Sequence, residues 1–154
     1  MKKSNRVRAI HRRAVFGWVL VASLTLLPAP LVVHAEATII SAEQASRRVA
    51  DGELLIIDVR TSAEWRETGV PAGAARANIF DGDFLQRVKT AVSGNLSRPI
   101  AVICARGNRS TEAEALLSQA GFTNVRNVKE GMLGSAHGPG WLAGGHPTER
   151  CANC

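Results

Sequence analysis

Ile100-Ala101-Val102-Ile103-Cys104-Ala105-Arg106-Gly107-Asn108-Arg109-Ser110 is the stretch from which the rest of the chain is read. Its short apolar, β-branched start reads as a strand buried on both faces, the habit of parallel sheets. That strand delivers a cysteine to its end, and a tight basic loop with a glycine follows. Beyond the loop Ala113, Leu116, Leu117 and Ala120 recur at helical spacing, with Gly121 placed to end the helix. Glu112 and Glu114 are read into its first turn, where the macrodipole favours negative charge. A thiol is thus set beneath a helix N-terminus, facing unpaired backbone N–H groups and two guanidinium groups.

A free thiol titrates near pH ~8.5, and a helix start with neighbouring Arg lowers this. The same N–H groups make an anion site. Cys104 is therefore predicted to be a thiolate nucleophile in an anion cradle. Alone, a cysteine ending an apolar strand is one more small buried hydrophobe. The Gly107 and Arg109 spacing, directly ahead of a helix, turns the balance toward chemistry.

Working outward, residues 38–40 read as a short first strand, and Ser41 with Gln44 forms a capping box for a helix to about Ala50. Residues 54–58 form another strand apolar on both faces, and Ser62 opens a short helix. Residues 75–79 read as a strand, 83–92 as a helix with Phe84, Leu85 and Val88 inward, and 125–128 as the strand that closes the sheet. Such βαβ alternation predicts an open parallel α/β sheet flanked by helices. Ligands on such sheets sit beyond the strand C-termini, where Cys104 stands.

The 154 residues leave room for one domain, and the net charge of +6 is not spread over it. Lys2, Lys3, Arg6, Arg8, Arg12 and Arg13 supply all of it, since the thirteen other basic residues balance thirteen acidic ones. A nucleic-acid partner is rejected on that ground. These residues instead form the n-region of an export signal, with residues 14–27 as its uncharged h-region, broken by Pro28 and Pro30. Val33-His34-Ala35 offers small residues where a signal peptidase reads, so residues 1–35 are assigned as a cleaved signal peptide. Ala35-Glu36-Ala37 would move the cut two residues on. The rival is an uncleaved anchor facing the periplasm, but the apolar run is shorter than the ~20 residues of a spanning helix. Arg12-Arg13 hints at twin-arginine export in a poor flanking context. The expectation is a periplasmic protein with no stable membrane insertion after cleavage.

Cys-Ala-Arg-Gly-Asn-Arg-Ser at 104–110 resembles the active-site loop of the rhodanese (sulfurtransferase) family. Leu54-Leu55-Ile56-Ile57-Asp58-Val59-Arg60-Thr61-Ser62-Ala63-Glu64-Trp65 resembles that family's upstream signature. Gly69-Val70-Pro71-Ala72-Gly73-Ala74 matches a third more loosely, with Val70 where histidine is common, and Gly138-Pro139-Gly140-Trp141-Leu142 also fits. The resemblance covers residues 37 to 147; the domain is drawn at 36–147, with 148–154 as a C-terminal Cys-X-X-Cys tail. It implies a five-stranded sheet in the order 1-5-4-2-3.

It also implies a reaction. Cys104 takes the outer sulfur of a sulfane donor such as thiosulfate, expels sulfite and becomes a persulfide, which a thiol or cyanide then discharges. Neither metal nor other cofactor is called for. Ala105, Arg106, Gly107, Asn108, Arg109 and Ser110 form the substrate-binding loop. Arg106 is directed at the donor's oxygens; Arg109 either does the same or, as the favoured reading, pins the loop to Asp58 or Glu64. Asp58 and Arg60 make a framework ion pair, Gly107 lets the backbone turn its amides inward, and Asn108 and Ser110 stand where a helix cap belongs. Related phosphatases and arsenate reductases carry one more residue in this loop, so the length here is that of sulfur transfer. Ala105 replaces a basic residue common in thiosulfate sulfurtransferases. An alternative role is a sulfur-carrier or thiol-redox partner module with little turnover on free thiosulfate; the presence of Cys104 excludes a catalytically dead scaffold as the default.

Cys151-Ala152-Asn153-Cys154 is a feature the resemblance does not explain. Its spacing is that of thiol–disulfide motifs. Two readings stay open: a frayed tail closed by a small disulfide in an oxidising compartment, or a redox pair that reaches Cys104, accepts its sulfur, or couples it to a thioredoxin-like protein. Metal binding by this pair with His146 is a poor ligand set. His137 and His146 read as solvated loop residues, Trp141 as packing, and Met132 as core or a loop anchor.

Overall fold

A computed structural model describes residues 38–151 and 154. The expected signal peptide lies outside these residues. Four strands, β1 (Leu55–Asp58), β3 (Ala75–Arg76), β4 (Ile100–Ile103) and β5 (Val125–Val128), form a parallel sheet in the order β3-β1-β4-β5. Helices α1 (Ala42–Ala50) and α5 (Gly140–Ala143) cover one face, and α3 (Phe84–Ala91) and α4 (Asn108–Gln119) the other. The helix α2 (Ser62–Thr68) follows β1, and a separate antiparallel pair joins β2 (Val70–Pro71) to β6 (Thr148–Glu149).

The two faces follow from the two-residue period of a strand. Ile56, Ala101 and Ile103 point into the core with Ala45, Met132 and Trp141. Ile57, Val102 and Cys104 point the other way, into the core with Val88, Ala113 and Leu117. Every residue of β4 and β5 is buried. Each large aliphatic side chain so buried contributes roughly 1.5–3 kcal/mol, which is why β4, the central strand, holds its register and fixes where its last residue points.

The first expected strand is not a strand. Ile39 makes one parallel bridge to Asn127, and the sheet has four strands rather than five. Its place beside β5 is the one the resemblance implies. The extended run is cut short because Ser41 caps α1 at once: its hydroxyl accepts from the Gln44 amide, and the Gln44 side chain accepts from the Ser41 amide. The strand expected over 75–79 stops at Arg76, since Asn78 turns the chain by accepting from the Phe80 amide and donating to Asp81. Leu85, expected inward, is 36% exposed; Phe84 and Val88, four residues apart, take the buried face of α3.

The C-terminal edge of β1 carries a buried ion pair. Arg60 Nη2 and Nε lie 2.6 and 3.1 Å from Asp58 Oδ2, and both side chains are almost wholly buried. The same guanidinium donates to Thr68 Oγ1 and to the Gly69 carbonyl, both at 2.7 Å, so it also ties down the end of α2. Removing one member leaves a buried charge without its partner. Arg60→Met is expected to lower unfolding free energy by roughly 3–5 kcal/mol, read by urea denaturation. Combining it with Asp58→Asn should recover part of that loss.

Candidate active site

Cys104 stands one residue past β4, and its side chain is 1% exposed. The Gly107 amide donates to its sulfur at 3.1 Å, and the Ser110 hydroxyl oxygen lies 3.6 Å away. Ser110 donates its own proton to the Gly107 carbonyl at 3.0 Å, which Thr111 Oγ1 also reaches at 2.8 Å. The sulfur therefore meets a backbone donor and a hydroxyl oxygen, with the free N–H groups of a helix start close behind.

That helix begins a turn earlier than expected. Gly107, in a left-handed conformation (φ 91°), is the N-cap of α4, and no side chain caps it. Asn108 and Ser110, expected as caps, are instead the first and third helical residues. Asn108 is exposed, and Ser110 is buried under the loop. Glu112 and Glu114 fall outside the first turn, which holds no acidic residue. The physical cause is Gly107 itself, since only glycine adopts this φ without strain and a Cβ here would run into the Lys129 carbonyl. A first turn without carboxylates leaves the positive end of the helix to an incoming anion.

The two arginines of the loop part company. Arg109 turns back to α2 and forms a two-pronged ion pair with Glu64, Nη2 to Oε1 at 2.6 Å and Nη1 to Oε2 at 2.8 Å. Of the two carboxylates offered to it, Glu64 takes it and Asp58 is held by Arg60. Arg106 is exposed at the rim, where its Nη1 donates to the Gly134 carbonyl at 3.3 Å. Ala105 is half-buried beside it and brings no charge.

Contacts that the sequence alone does not show complete the frame. Thr61 and Glu64 form a second capping box, at the start of α2, so Glu64 caps one helix while clamping the next. The Thr-X-X-Glu spacing was the signal for it. The segment after β5 backs the loop: the Met132 amide donates to the Cys104 carbonyl at 2.8 Å and the Leu133 amide to the Ala105 carbonyl at 3.0 Å. Glu130, buried, accepts from the amides of Ala42 and Gly140, both at 3.1 Å, and ties that segment to α1 and α5. No local motif announces these contacts, because they pair segments far apart in the chain.

Cys151 and Cys154 are joined in a disulfide. Cys151 packs with Trp65 and Val70, in a cluster separate from the one that holds Cys104. The structure thus brings Asp58, Arg60, Glu64 and residues 104–110 together around one edge of the sheet, and packs the tail cysteines against Trp65 of α2 and Val70. His146 stacks edge-on against Trp141, with ring centres 5.3 Å apart, and Trp141 donates to the Pro147 carbonyl.

The match to the rhodanese-like domain model spans residues 41–136. The chain belongs to the rhodanese-like family. It is 32% identical over 106 residues to a sulfurtransferase of Allochromatium vinosum, covering 64% of this chain and 89% of that one. It is 30% identical over 90 residues to the thiosulfate sulfurtransferase GlpE of Pseudomonas savastanoi pv. phaseolicola, covering 58% of this chain and 78% of that one. Among solved structures it is similar to Rv0390 from M. tuberculosis, with a TM-score of 0.60, 30% identity, and coverage of 75% and 98%.

The Glu64–Arg109 pair makes a pH-dependent brace. Arg109 holds the Glu64 carboxyl down from 4.5 to about 2, against the opposing effect of burial and with help from Thr61. A carboxyl depressed in the folded state stabilises fully above its unfolded value and loses that contribution as pH falls through the folded one. The stability difference between the native protein and Glu64→Gln is therefore expected to be constant above pH 4.5 and to shrink as pH falls toward 2, in urea titrations across that range.

Proposed function

We propose that this protein is a sulfurtransferase that moves sulfane sulfur from thiosulfate or a similar donor to a thiophilic acceptor through a persulfide on Cys104. The observation that carries the reading is the Gly107 amide, 3.1 Å from the Cys104 sulfur at the start of an uncapped helix with no acidic first turn. Relatives named as sulfurtransferases support it.

The chemistry follows from the groups present. The Cys104 thiolate attacks the outer sulfur of thiosulfate, forming a sulfur–sulfur bond while the donor's own bond breaks and sulfite leaves with the electron pair. The product persulfide carries its negative charge on the terminal sulfur, where the Gly107 amide and the α4 start supply fixed donors. The Ser110 hydroxyl has one proton and turns freely. With the thiol protonated it gives that proton to the Gly107 carbonyl; when the sulfur is charged it turns to the sulfur, and Thr111 retains the carbonyl. Arg106, at the rim, lies free to swing from Gly134 to the sulfonate oxygens of the donor. Arg109 stays on Glu64 and acts by holding the loop in place. A thiol or cyanide then attacks the terminal sulfur and regenerates the Cys104 thiolate, and no cofactor enters the cycle.

The reading extends to location. Export to the periplasm is supported by the basic n-region and apolar run of residues 1–35, and by a chain whose last cysteines pair. Among the described residues no helix is long and apolar enough to cross a membrane.

Intact-mass measurement after thiosulfate is expected to show one added sulfur in the native protein and none in Cys104→Ser, and cyanide should remove it. Sulfur that loads but is not discharged would replace turnover with the carrier role; no loading would remove thiosulfate as donor. Ser110→Ala is expected to slow loading by roughly 3–10-fold, the worth of one buried hydrogen bond, in stopped-flow sulfite release.

A further inference from the structure

The sulfur chemistry of Cys104 leaves the other two cysteines unused. They are not frayed. β6 pairs with β2 in the register Val70↔Glu149 and Pro71↔Thr148, and this brings Cys151 under Trp65 and Val70, where it is 6% exposed. Arg66 Nη1 donates to the Cys154 carbonyl. A disulfide serving only to close a short loop needs no charged neighbour. This one has Arg76, whose Nη1 lies 2.6 Å from Cys151 Sγ and 3.0 Å from Cys154 Sγ.

A disulfide sulfur is a weak acceptor, whereas a thiolate is a full charge, so the guanidinium gains most when the bond is broken. The Trp65 indole N–H, in the same cluster as Cys151, is buried and has no acceptor among the described residues while the sulfurs are joined. The two sulfurs also differ in access. Cys151 is buried, whereas Cys154 lines a surface cavity of about 360 Å³ with Ser62, Trp65, Arg76 and Arg87. The other charges around the pair are mixed: Arg66 and Glu67 on α2, Glu149 and Arg150 beside Cys151, and Asp81 with Arg87 across the cavity, where Arg87 is already bound to Asp83. Arg76 is the cation with a contact to sulfur.

We propose that Cys151–Cys154 is a second, redox-active site that exchanges electrons with a protein dithiol docking over the Arg76 cavity. The partner's first thiolate attacks the accessible Cys154 sulfur. The S–S bond breaks, and its electron pair goes to Cys151, which leaves as a thiolate held by Arg76. The partner's second thiol, losing its proton to solvent, then attacks the partner's own sulfur in the mixed disulfide. Cys154 leaves as a thiolate, and the partner departs as a disulfide. Two electrons pass from the dithiol to the tail, and the dithiol's two protons pass to the tail thiolates or to water. This site shares no residue with the Cys104 loop and does not require sulfurtransfer to operate.

The test uses oxidised full-length Cys104→Ser protein, so that only the tail reacts, with reduced thioredoxin as the dithiol probe and thiol alkylation read by mass. Thioredoxin is expected to reduce the pair. Arg76→Gln should slow that reduction roughly threefold or more, because a leaving thiolate of higher pKa departs more slowly, and Arg76→Lys should recover much of the rate. In the reduced protein, the pH profile of Cys151 alkylation should have its midpoint at least one unit below the ordinary thiol value of ~8.5, and Arg76→Gln should raise it. Reduction by dithiothreitol but not by thioredoxin would overturn the proposal. So would rates and alkylation midpoints that are the same in all three proteins.

Discussion

The buried pair of Asp58 and Arg60 is the constraint on which the rest of the site depends. Two charges out of water cost several kcal/mol each after relaxation, and the structure offsets this by giving the guanidinium further acceptors at Thr68 and Gly69. Those acceptors are the C-terminal end of α2. Because α2 cannot shift, Glu64 at its start is held where Arg109 of α4 can reach it. Because Gly69 is fixed, the two residues after it are presented as the strand that receives β6. One ion pair at the edge of β1 thus sets both the brace of the cysteine loop and the seat of the tail.

The cysteine loop itself is held from below and behind rather than by its own side chains. β4 brings Cys104 to the edge with its sulfur on the α4 side, and the carbonyls of Cys104 and Ala105 are taken by amides of Met132 and Leu133. Gly107 and Gly131 permit this close packing, since a Cβ on either would meet the carbonyl of Lys129 or Ala105. With its carbonyls tied back, the loop turns the Gly107 amide to the sulfur. Preorganised donors of this kind need no rearrangement when charge develops beside them. Arg109, which composition would count as a substrate ligand, is used up in holding this geometry.

The tail adds a second sulfur centre of different character. Cys104 meets the Gly107 amide and the Ser110 hydroxyl oxygen, whereas the Cys151–Cys154 pair is set against one guanidinium and one indole, with a single sulfur turned outward.

By itself the sequence determined the parallel α/β class, the placement of Cys104 at a strand end, the capping box at Ser41 and the family. These rest on local signals: apolar runs, cap spacings, and a loop whose residue types are tied to backbone geometry. It overestimated the edges of the sheet. The stretch around Ile39 has strand-forming residues but is stopped by the Ser41 cap, and the run after β3 offers only Ile79 of that kind and is stopped by the Asn78 turn. Only the tertiary structure decided that Arg109 belongs to Glu64, that Glu130 anchors the segment behind the loop, and that the tail cysteines lie against Arg76 and Trp65. Each of these joins residues dozens of positions apart, and composition offers several equivalent partners for each charge. What selects one partner is the packing of whole helices against the sheet, a sum over many side chains that no short stretch of sequence contains.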